Sequence, residues 1–128
     1  MSLETAVIIA KDDSVVHWHH PNNRTSVSLP DSQELWDVIW ENKDRIGGIA
    51  HTHPGSGYPA PSHTDLTTFE AIESGLGKKL KWWILSSNCS VLLEWNPRFS
   101  RYAFVHSTKF GDEEPGWMRQ LRALSFPL

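Results

Sequence analysis

The chain has 128 residues, a length typical of one domain, and its 39% hydrophobic and 21% charged content is that of a globular protein. A net charge of −3, with acids and bases mixed along the chain, excludes the strongly basic class that binds nucleic acid or anionic membranes. The single cysteine, Cys89, excludes an intrachain disulfide and fits a reducing compartment. The sequence contains no signal peptide and no apolar run of about 18 residues, which predicts a cytoplasmic protein.

The first part of the chain predicts three strands and a helix. Residues 5–10 (TAVIIA) and 14–19 (SVVHWH) are short β-branched runs that flank a turn, which predicts a hairpin. Residues 25–29 (TSVSL) alternate in polarity and predict a third strand. A helix follows, with Asp31 as its N-cap and Glu34 three residues later, as in a capping box. Its apolar face, predicted to pack in the core, comprises Leu35, Trp36, Ile39 and Trp40.

The middle of the chain predicts a strand, an irregular loop and a second helix. Residues 46–53 (IGGIAHTH) form the strand, in which Gly47 and Gly48 predict a bulge or a close backbone approach. Prolines interrupt the loop that follows, and residues 62–65 (SHTD) begin a helix that ends at the glycines of residues 75–77.

The last part of the chain predicts three strands, at residues 81–85, 90–95 and 101–106, and then a tail. The tail, residues 111–128, is predicted to contain one short helix around residues 117–124. The order β-β-β-α-β-α-β-β-β predicts a single α/β domain over residues 1–110, a mixed sheet with a helix on each side or edge.

Two histidines and an aspartate beside the loop form a candidate metal site. Residues i and i+2 of a strand project from one face, so His51 and His53 can reach the same ion while Thr52 points the other way. Asp65 falls in the first turn of the next helix, where the positive helix end favours a carboxylate. Three such ligands suit one Zn²⁺ ion with a water as fourth ligand, the arrangement of catalytic zinc sites. Iron, manganese and cobalt accept the same ligands.

Each of these residues also has an ordinary structural interpretation. Ser62 and Asp65 form a Ser-x-x-Asp pattern that is common at helix starts. Histidines beside a turn often have no function. A second strand-spaced pair, His17 and His19, is followed by no carboxylate at a supporting interval and is predicted to pack in the hairpin.

The stretch HTHPGSGYPAPSHTD resembles the signature of the JAMM (MPN-plus, JAB1/MPN/Mov34) metalloprotease family. That signature is His-Ser/Thr-His-Pro, seven residues and Ser-x-x-Asp, and residues 51–65 meet every spacing. The resemblance implies a JAB/MPN fold of the cytidine-deaminase-like type, and zinc-dependent hydrolysis of peptide or isopeptide bonds. It further implies that zinc is bound by His51, His53 and Asp65, and that the hydroxyl of Ser62 stabilises the oxyanion.

The family also uses an upstream glutamate, which acts as general base towards the attacking water and then protonates the leaving amine. Glu4 directly precedes the first predicted strand and so stands at the matching position. The helix that precedes this glutamate in the family has no counterpart here, since only three residues come before Glu4. Glu34 and Glu41 are weaker substitutes.

The sequence therefore predicts an enzyme, a zinc metallopeptidase of the JAMM type, whose substrate is a protein or peptide. The C-terminus of a ubiquitin-like protein is the bond that the resemblance implies, and neither nucleic acid nor a membrane is an expected partner. One alternative is a zinc-binding interaction module of the same fold with weak or no catalysis. Another is a cysteine hydrolase that uses Cys89 and His106, although Cys89 is predicted to be a buried thiol.

Overall fold

This computed structural model describes residues 2–26, 29 and 32–127. This part of the chain forms one sheet and three helices, joined by loops. The six strands of the sheet are β1 (Ala6–Ala10), β2 (Val15–His19), β3 (Ile46–Thr52), β4 (Lys81–Leu85), β5 (Cys89–Asn96) and β6 (Arg101–Lys109). The helices are α1 (Gln33–Glu41), α2 (His63–Leu76) and α3 (Gly116–Ser125). Every helix in this part of the chain is too short or too polar to cross a membrane.

The strands lie in the order β2-β1-β3-β4-β5-β6. β3 and β4 are parallel and α2 connects them, whereas every other neighbouring pair is antiparallel. The prediction of a mixed α/β domain is confirmed, as are the first hairpin and the strand at residues 81–85. The last strand is longer than predicted, because pairing with β5 continues to Lys109.

Two features near α1 differ from the sequence prediction. The predicted third strand includes positions 27 and 28, which lie outside the described residues, and positions 25, 26 and 29 carry no strand. The N-cap of α1 is Ser32, whose Oγ accepts the N–H of Leu35 at 3.1 Å. The predicted N-cap, Asp31, also lies outside the described residues. A hydroxyl one position later satisfies the same free N–H groups of the helix start.

Both faces of the sheet are covered, but the helices are distributed differently from the prediction. One apolar core joins the sheet to α1 and α2, with members that include Ile8, Ile39, Ile49, Phe69, Ile72 and Trp82. The opposite core joins the sheet to α3 through Val7, Ile9, Ala50, Leu85, Trp117, Met118 and Leu121. The two helices predicted to flank the sheet therefore share one face, and the helix of the predicted tail covers the other.

The prediction that the tryptophans of α1 are core residues is wrong. Trp36 is 39% exposed and Trp40 is 58% exposed, and the side chain of Lys43 lies 4.8 Å from the Trp40 ring. The helix instead packs through Leu35, Val38 and Ile39. At about 100° of rotation per residue, the tryptophans lie on the flank of that stripe, so burying them would have turned Val38 outward.

The glycines of β3 allow the close backbone packing that the sequence predicted. The register between β1 and β3 shifts at Gly47, which lies opposite no residue of β1. A Cβ atom on Gly48 would lie 2.4 Å from the backbone oxygen of Lys81 and 2.5 Å from the Trp83 ring. β3 can therefore approach β4 only because residue 48 has no side chain.

A buried carboxylate ties α2 to the sheet. Glu73 is 2% exposed, and its Oε2 accepts the Leu80 N–H at 2.8 Å and the Trp82 Nε1–H at 3.0 Å. Its Oε1 accepts the hydroxyl of Tyr102, and Lys79 Nζ lies 3.6 Å away. The donors of Leu80, Trp82 and Tyr102 all bond to this one carboxylate. These bonds therefore fix the distance between α2, which carries Glu73, and the strands beneath it.

Replacing Glu73 with alanine is expected to lower the free energy of unfolding by about 3 kcal/mol, because it leaves buried N–H groups without acceptors. The melting temperature should fall by roughly 10 °C, measured by circular dichroism. Glu70→Ala on the same helix is the matched control, since residue 70 is exposed, and it should change stability by less than about 0.5 kcal/mol. Equal losses in both variants would contradict this role for Glu73.

Candidate metal centre

The predicted ligands meet at the carboxyl end of β3. His51 lies in that strand, and His53 directly follows its last residue, Thr52, so the strand is one residue shorter than predicted. Ser62 caps the helix that leads into the parallel neighbour β4. A strand–helix–strand connection of this kind places the start of the helix beside the end of the strand. His51 points towards α2, with its ring 6.3 Å from that of Phe69, and Thr52 points to the opposite face as predicted. Asp65, in the first turn of α2, completes the group.

Three short distances join the three side chains. The Nε2 atoms of His51 and His53 are 3.1 Å apart. His51 Nε2 lies 3.2 Å from Asp65 Oδ1, and His53 Nε2 lies 2.9 Å from Asp65 Oδ2. In a tetrahedral zinc site with metal–ligand bonds of about 2.0–2.1 Å, neighbouring ligand atoms lie about 3.3 Å apart. The three side chains thus stand at the separations of ligands that share one ion, and they could hold a metal.

Hydrogen bonds alone do not satisfy these three contacts. A ring nitrogen either carries a proton and donates or lacks one and accepts, and it cannot do both. If His51 and His53 both donate to Asp65, their Nε2–H groups oppose each other at 3.1 Å. If one imidazole accepts from the other, it loses its bond to the carboxylate. A cation between two neutral imidazoles and a carboxylate removes this conflict.

The local electrostatics keep Asp65 in the form that binds metal. Burial alone would raise the pKa of its carboxyl, but hydrogen bonds from His51, His53 and the Ser62 backbone hold that pKa well below its usual range. The carboxylate is therefore ionised at neutral pH without a metal. The side chains of the three ligands are between 14% and 20% exposed, so solvent reaches one side of the group. That open side is a requirement of a catalytic rather than a structural metal site.

The loop of residues 54–62 is fixed to the turn between β4 and β5. The Gly57 N–H donates to Asn88 Oδ1 at 2.8 Å, the Ser86 hydroxyl donates to the Gly57 carbonyl at 2.6 Å, and the Ser87 N–H donates to the Gly55 carbonyl at 3.0 Å. Gly57 has φ 84°, in the left-handed region that favours glycine. These bonds fix the first part of the loop, residues 55–57, to that turn.

Ser62 and Asp65 form the helix cap and the candidate ligand at the same time. The Ser62 Oγ accepts the Asp65 N–H at 3.0 Å, and the Ser62 N–H donates to Asp65 Oδ2 at 2.9 Å. The structural interpretation of Ser-x-x-Asp is thus correct, and it is compatible with metal binding. The capping box orients the carboxylate towards the histidines, as hydrogen bonds to metal-binding side chains commonly do.

Glu4 is close enough to the same three side chains to interact with them electrostatically. Burial raises the pKa of its carboxyl, the charges of His51 and His53 lower it, and that of Asp65 raises it. All three ligands therefore act on Glu4 electrostatically. Residues 2 and 3, the described residues that come before Glu4, form no helix.

A network of hydrogen bonds holds the segment that carries Glu4. The Glu4 N–H donates to the Thr25 carbonyl at 2.8 Å, and the Leu3 N–H donates to the Ser125 carbonyl of α3 at 2.6 Å. The hydroxyl of Thr52 accepts the Thr5 N–H at 3.1 Å and donates to Ser125 Oγ at 2.9 Å. The C-terminal helix thus supports Glu4, where the family resemblance implies a helix at the N-terminus.

Arg24 adds to this network, because its guanidinium donates to Thr5 Oγ1, to the Glu4 carbonyl at 3.5 Å and to the Leu124 carbonyl at 3.4 Å. Sequence reasoning missed Arg24 and Ser125. They belong to no local motif that the sequence analysis used, and their partners in this network lie between 19 and 122 residues away in the chain.

Replacing Thr52 with valine is expected to destabilise the fold by about 1–3 kcal/mol, because the buried Thr5 N–H loses its side-chain acceptor while the shape of residue 52 is kept. Thr52→Ser keeps the hydroxyl and should recover most of the difference. Urea unfolding monitored by tryptophan fluorescence measures both. If serine and valine destabilise equally, the hydroxyl network does not hold this segment.

The other candidates from the sequence are not assembled into a site. Within the described residues, His51, His53 and Asp65 are the group of three His, Cys, Asp or Glu side chains close enough to share an ion, so His17 and His19 remain a pair. Cys89 is buried, as predicted. In the sheet it lies opposite Lys109, three residues or about 10 Å along β6 from His106.

Comparison of the chain with protein-family models and with curated proteins finds no match.

Proposed function

We propose that the chain is a zinc-dependent metallopeptidase of the JAMM type, which hydrolyses an amide bond at the C-terminus of a ubiquitin-like protein or in a peptide. One observation carries the proposal: the two imidazole nitrogens and the carboxylate lie 2.9–3.2 Å from one another. They do so in a sequence that meets every spacing of the family signature. The spacing alone does not bring these atoms together, because that also requires the parallel pairing of β3 with β4.

The position of the motif in the fold supports the JAB/MPN, cytidine-deaminase-like architecture as part of this proposal. His51 and His53 lie at and just after the end of a central strand, and Asp65 is in the first turn of the helix that leads to the parallel neighbour. The ligand set of two imidazoles and one carboxylate suits zinc. A bound zinc ion supplies Lewis acidity, which lowers the pKa of a water molecule and polarises the scissile carbonyl.

The protein's own residues carry out the remaining chemistry. A Glu4 carboxylate oxygen takes a proton from the attacking water and delivers it to the nitrogen of the leaving amine. The Ser62 Oγ already accepts from the Asp65 N–H, so its own proton is available to a developing oxyanion at the exposed start of α2. Asp65 and its capping box keep the histidine rings oriented during these steps.

The test is cleavage of a fusion of a ubiquitin-like protein to a reporter. The full chain is assayed as purified, after a chelator has removed its metal, and after zinc has been added back. We expect cleavage that is lost on chelation and recovered with zinc but not with magnesium, because Mg²⁺ prefers an all-oxygen octahedral shell. The substrate panel includes an unstructured peptide, which separates peptidase from isopeptidase activity. A zinc-loaded protein that cleaves no member of the panel would overturn the proposal.

A second function, a zinc-binding interaction module of the same fold with weak or no catalysis, is favoured by the exposure of Trp36 and Trp40. Exposed aromatic side chains are enriched in protein interfaces. This function predicts that the chain binds zinc stoichiometrically but shows no Glu4-dependent turnover. It also predicts that the chain binds a partner protein, and that Trp40→Ala weakens this binding.

A further inference from the structure

The strand β6 forms one edge of the sheet and is open to a further strand. It is last in the strand order, and its nine residues pair with β5 on one side only. In the described part of the chain, the backbone of residues 101–107 hydrogen-bonds only to β5. Further along the strand, the Lys109 N–H donates to the Asp112 carboxylate. Every second residue of such an edge turns its N–H and C=O groups outward.

Exposed apolar side chains are concentrated along this edge. Of the eight large hydrophobic side chains that are exposed in the described residues, four lie between positions 99 and 110: Phe99, Phe104, Val105 and Phe110. Each of the four is more than half exposed. A protein that only needed to protect an edge strand from pairing would place polar or charged side chains there.

The edge is also positively charged, although the chain as a whole is acidic. Residues 97–111 (PRFSRYAFVHSTKFG) contain Arg98, Arg101 and Lys109 and no acidic residue, whereas the whole chain has a net charge of −3. The guanidinium groups of Arg98 and Arg101 lie 5.5 and 5.6 Å from the Phe99 ring. Two cations are thus held beside an exposed aromatic surface at one end of the strand, in the arrangement that suits carboxylates.

Charge and shape argue against a second copy of the chain as the occupant of this edge. Antiparallel self-pairing about Val105 would oppose Arg101 with Lys109, and parallel pairing would set each cation beside itself. The register between β5 and β6 also shifts at Val105, which makes β6 a bulged and more twisted strand. A short flexible segment adapts to that twist more readily than another strand that is fixed in its own sheet.

We propose that β6 is a docking edge for an extended, acidic and apolar segment of a partner protein, which joins the sheet as a seventh strand. Its backbone pairs with residues 101–107, its apolar side chains cover Phe104 and Val105, and its carboxylates bind Arg98 and Arg101. β4 and β5 separate this edge from β3, a distance of about 14 Å, so a docked segment leaves the metal centre open. The proposal is independent of the metal chemistry.

The experiment is a titration of the ¹⁵N-labelled full chain with a peptide of about eight alternating valine and glutamate residues. We expect shift changes confined to residues 99–110 and slower amide exchange at residues 101–107. Two matched peptides are the controls: one has lysine in place of glutamate, and the other is N-methylated at every second residue, which removes its outward donors. Both should bind at least about tenfold more weakly.

Protein variants give a second measurement. Arg101→Glu and Phe104→Glu change exposed side chains, so the fold is retained, and each should weaken binding of the acidic peptide about tenfold or more. Lys11→Glu, at the turn after β1, is the matched control and should not change it. Three results would overturn the proposal: equal binding of the N-methylated peptide, concentration-dependent dimers that Phe104→Glu dissociates, and tighter binding of a single-stranded oligonucleotide at the same residues.

Discussion

Glu4→Gln is expected to leave the metal bound while it reduces amide hydrolysis by about 10²–10⁴-fold. Glutamine keeps the size and the hydrogen-bonding oxygen of residue 4 but cannot take a proton from water. The backbone bonds of this segment do not involve the carboxylate, so the variant should fold like the original. Initial rates on the zinc-loaded protein measure the effect, and the zinc content of the same sample shows that binding is intact.

Glu34→Gln is the matched control for this prediction. Glu34 is an exposed residue in the first turn of α1 and interacts electrostatically with His17 rather than with the metal ligands. Its replacement should leave the rate unchanged within about twofold. If Glu4→Gln turns over as fast as the original chain, the base is another group and the role of Glu4 is wrong.

His53→Ala is expected to abolish stoichiometric metal binding and, with it, hydrolysis. Loss of even a group that supports a metal ligand costs about 10–100-fold in affinity, and loss of a direct ligand from a set of three should cost at least that much. Isothermal titration with Zn²⁺ measures the affinity. Zinc should also raise the melting temperature of the original chain but not that of the variant, because a ligand stabilises only the state that binds it.

His17→Ala is the matched control, since His17 and His19 have the same strand spacing as His51 and His53. It should bind zinc like the original chain, because no third ligand joins His17 within the described residues. Weakened zinc binding in His17→Ala, with binding retained in His53→Ala, would place the metal at β2 instead.

The sequence predicted the local parts of the candidate site, because each part is encoded by neighbouring residues. Strand periodicity placed His51 and His53 on one face, and the Ser62 cap placed Asp65 in the first turn of α2. Whether these atoms would meet depended on the parallel pairing of β3 with β4, which no local pattern encodes. The structure supplied that pairing and the distances that follow from it.

The sequence did not predict which surfaces the helices cover. α1 has enough apolar residues for two different stripes, and the choice between them is made by packing against the sheet. The support of Glu4 by α3 was equally hidden, since Leu3 and Ser125 are 122 residues apart and meet only because α3 packs across the opposite face. Contacts of this length are set by topology.

The helix cap of α2 shows why a structural and a functional interpretation of one motif need not exclude each other. Ser62 and Asp65 satisfy the free N–H groups of the helix start, and the same bonds aim the carboxylate at two imidazoles. A capping serine and aspartate are common at helix starts. Here the Asp65 Oδ2 that accepts the Ser62 N–H also lies 2.9 Å from His53 Nε2, which makes Asp65 a candidate metal ligand.

X-ray absorption spectroscopy of the zinc-loaded chain tests most directly whether His51, His53 and Asp65 form one metal centre. Two imidazole rings and two further oxygen ligands are expected around zinc, with zinc–ligand distances of about 2.0–2.1 Å. In the His53→Ala variant, measured at protein and zinc concentrations high enough for zinc to bind, the imidazole scattering should fall by half. Sulfur at about 2.3 Å, which only Cys89 or a methionine could supply, or a shell with no imidazole, would contradict the assignment.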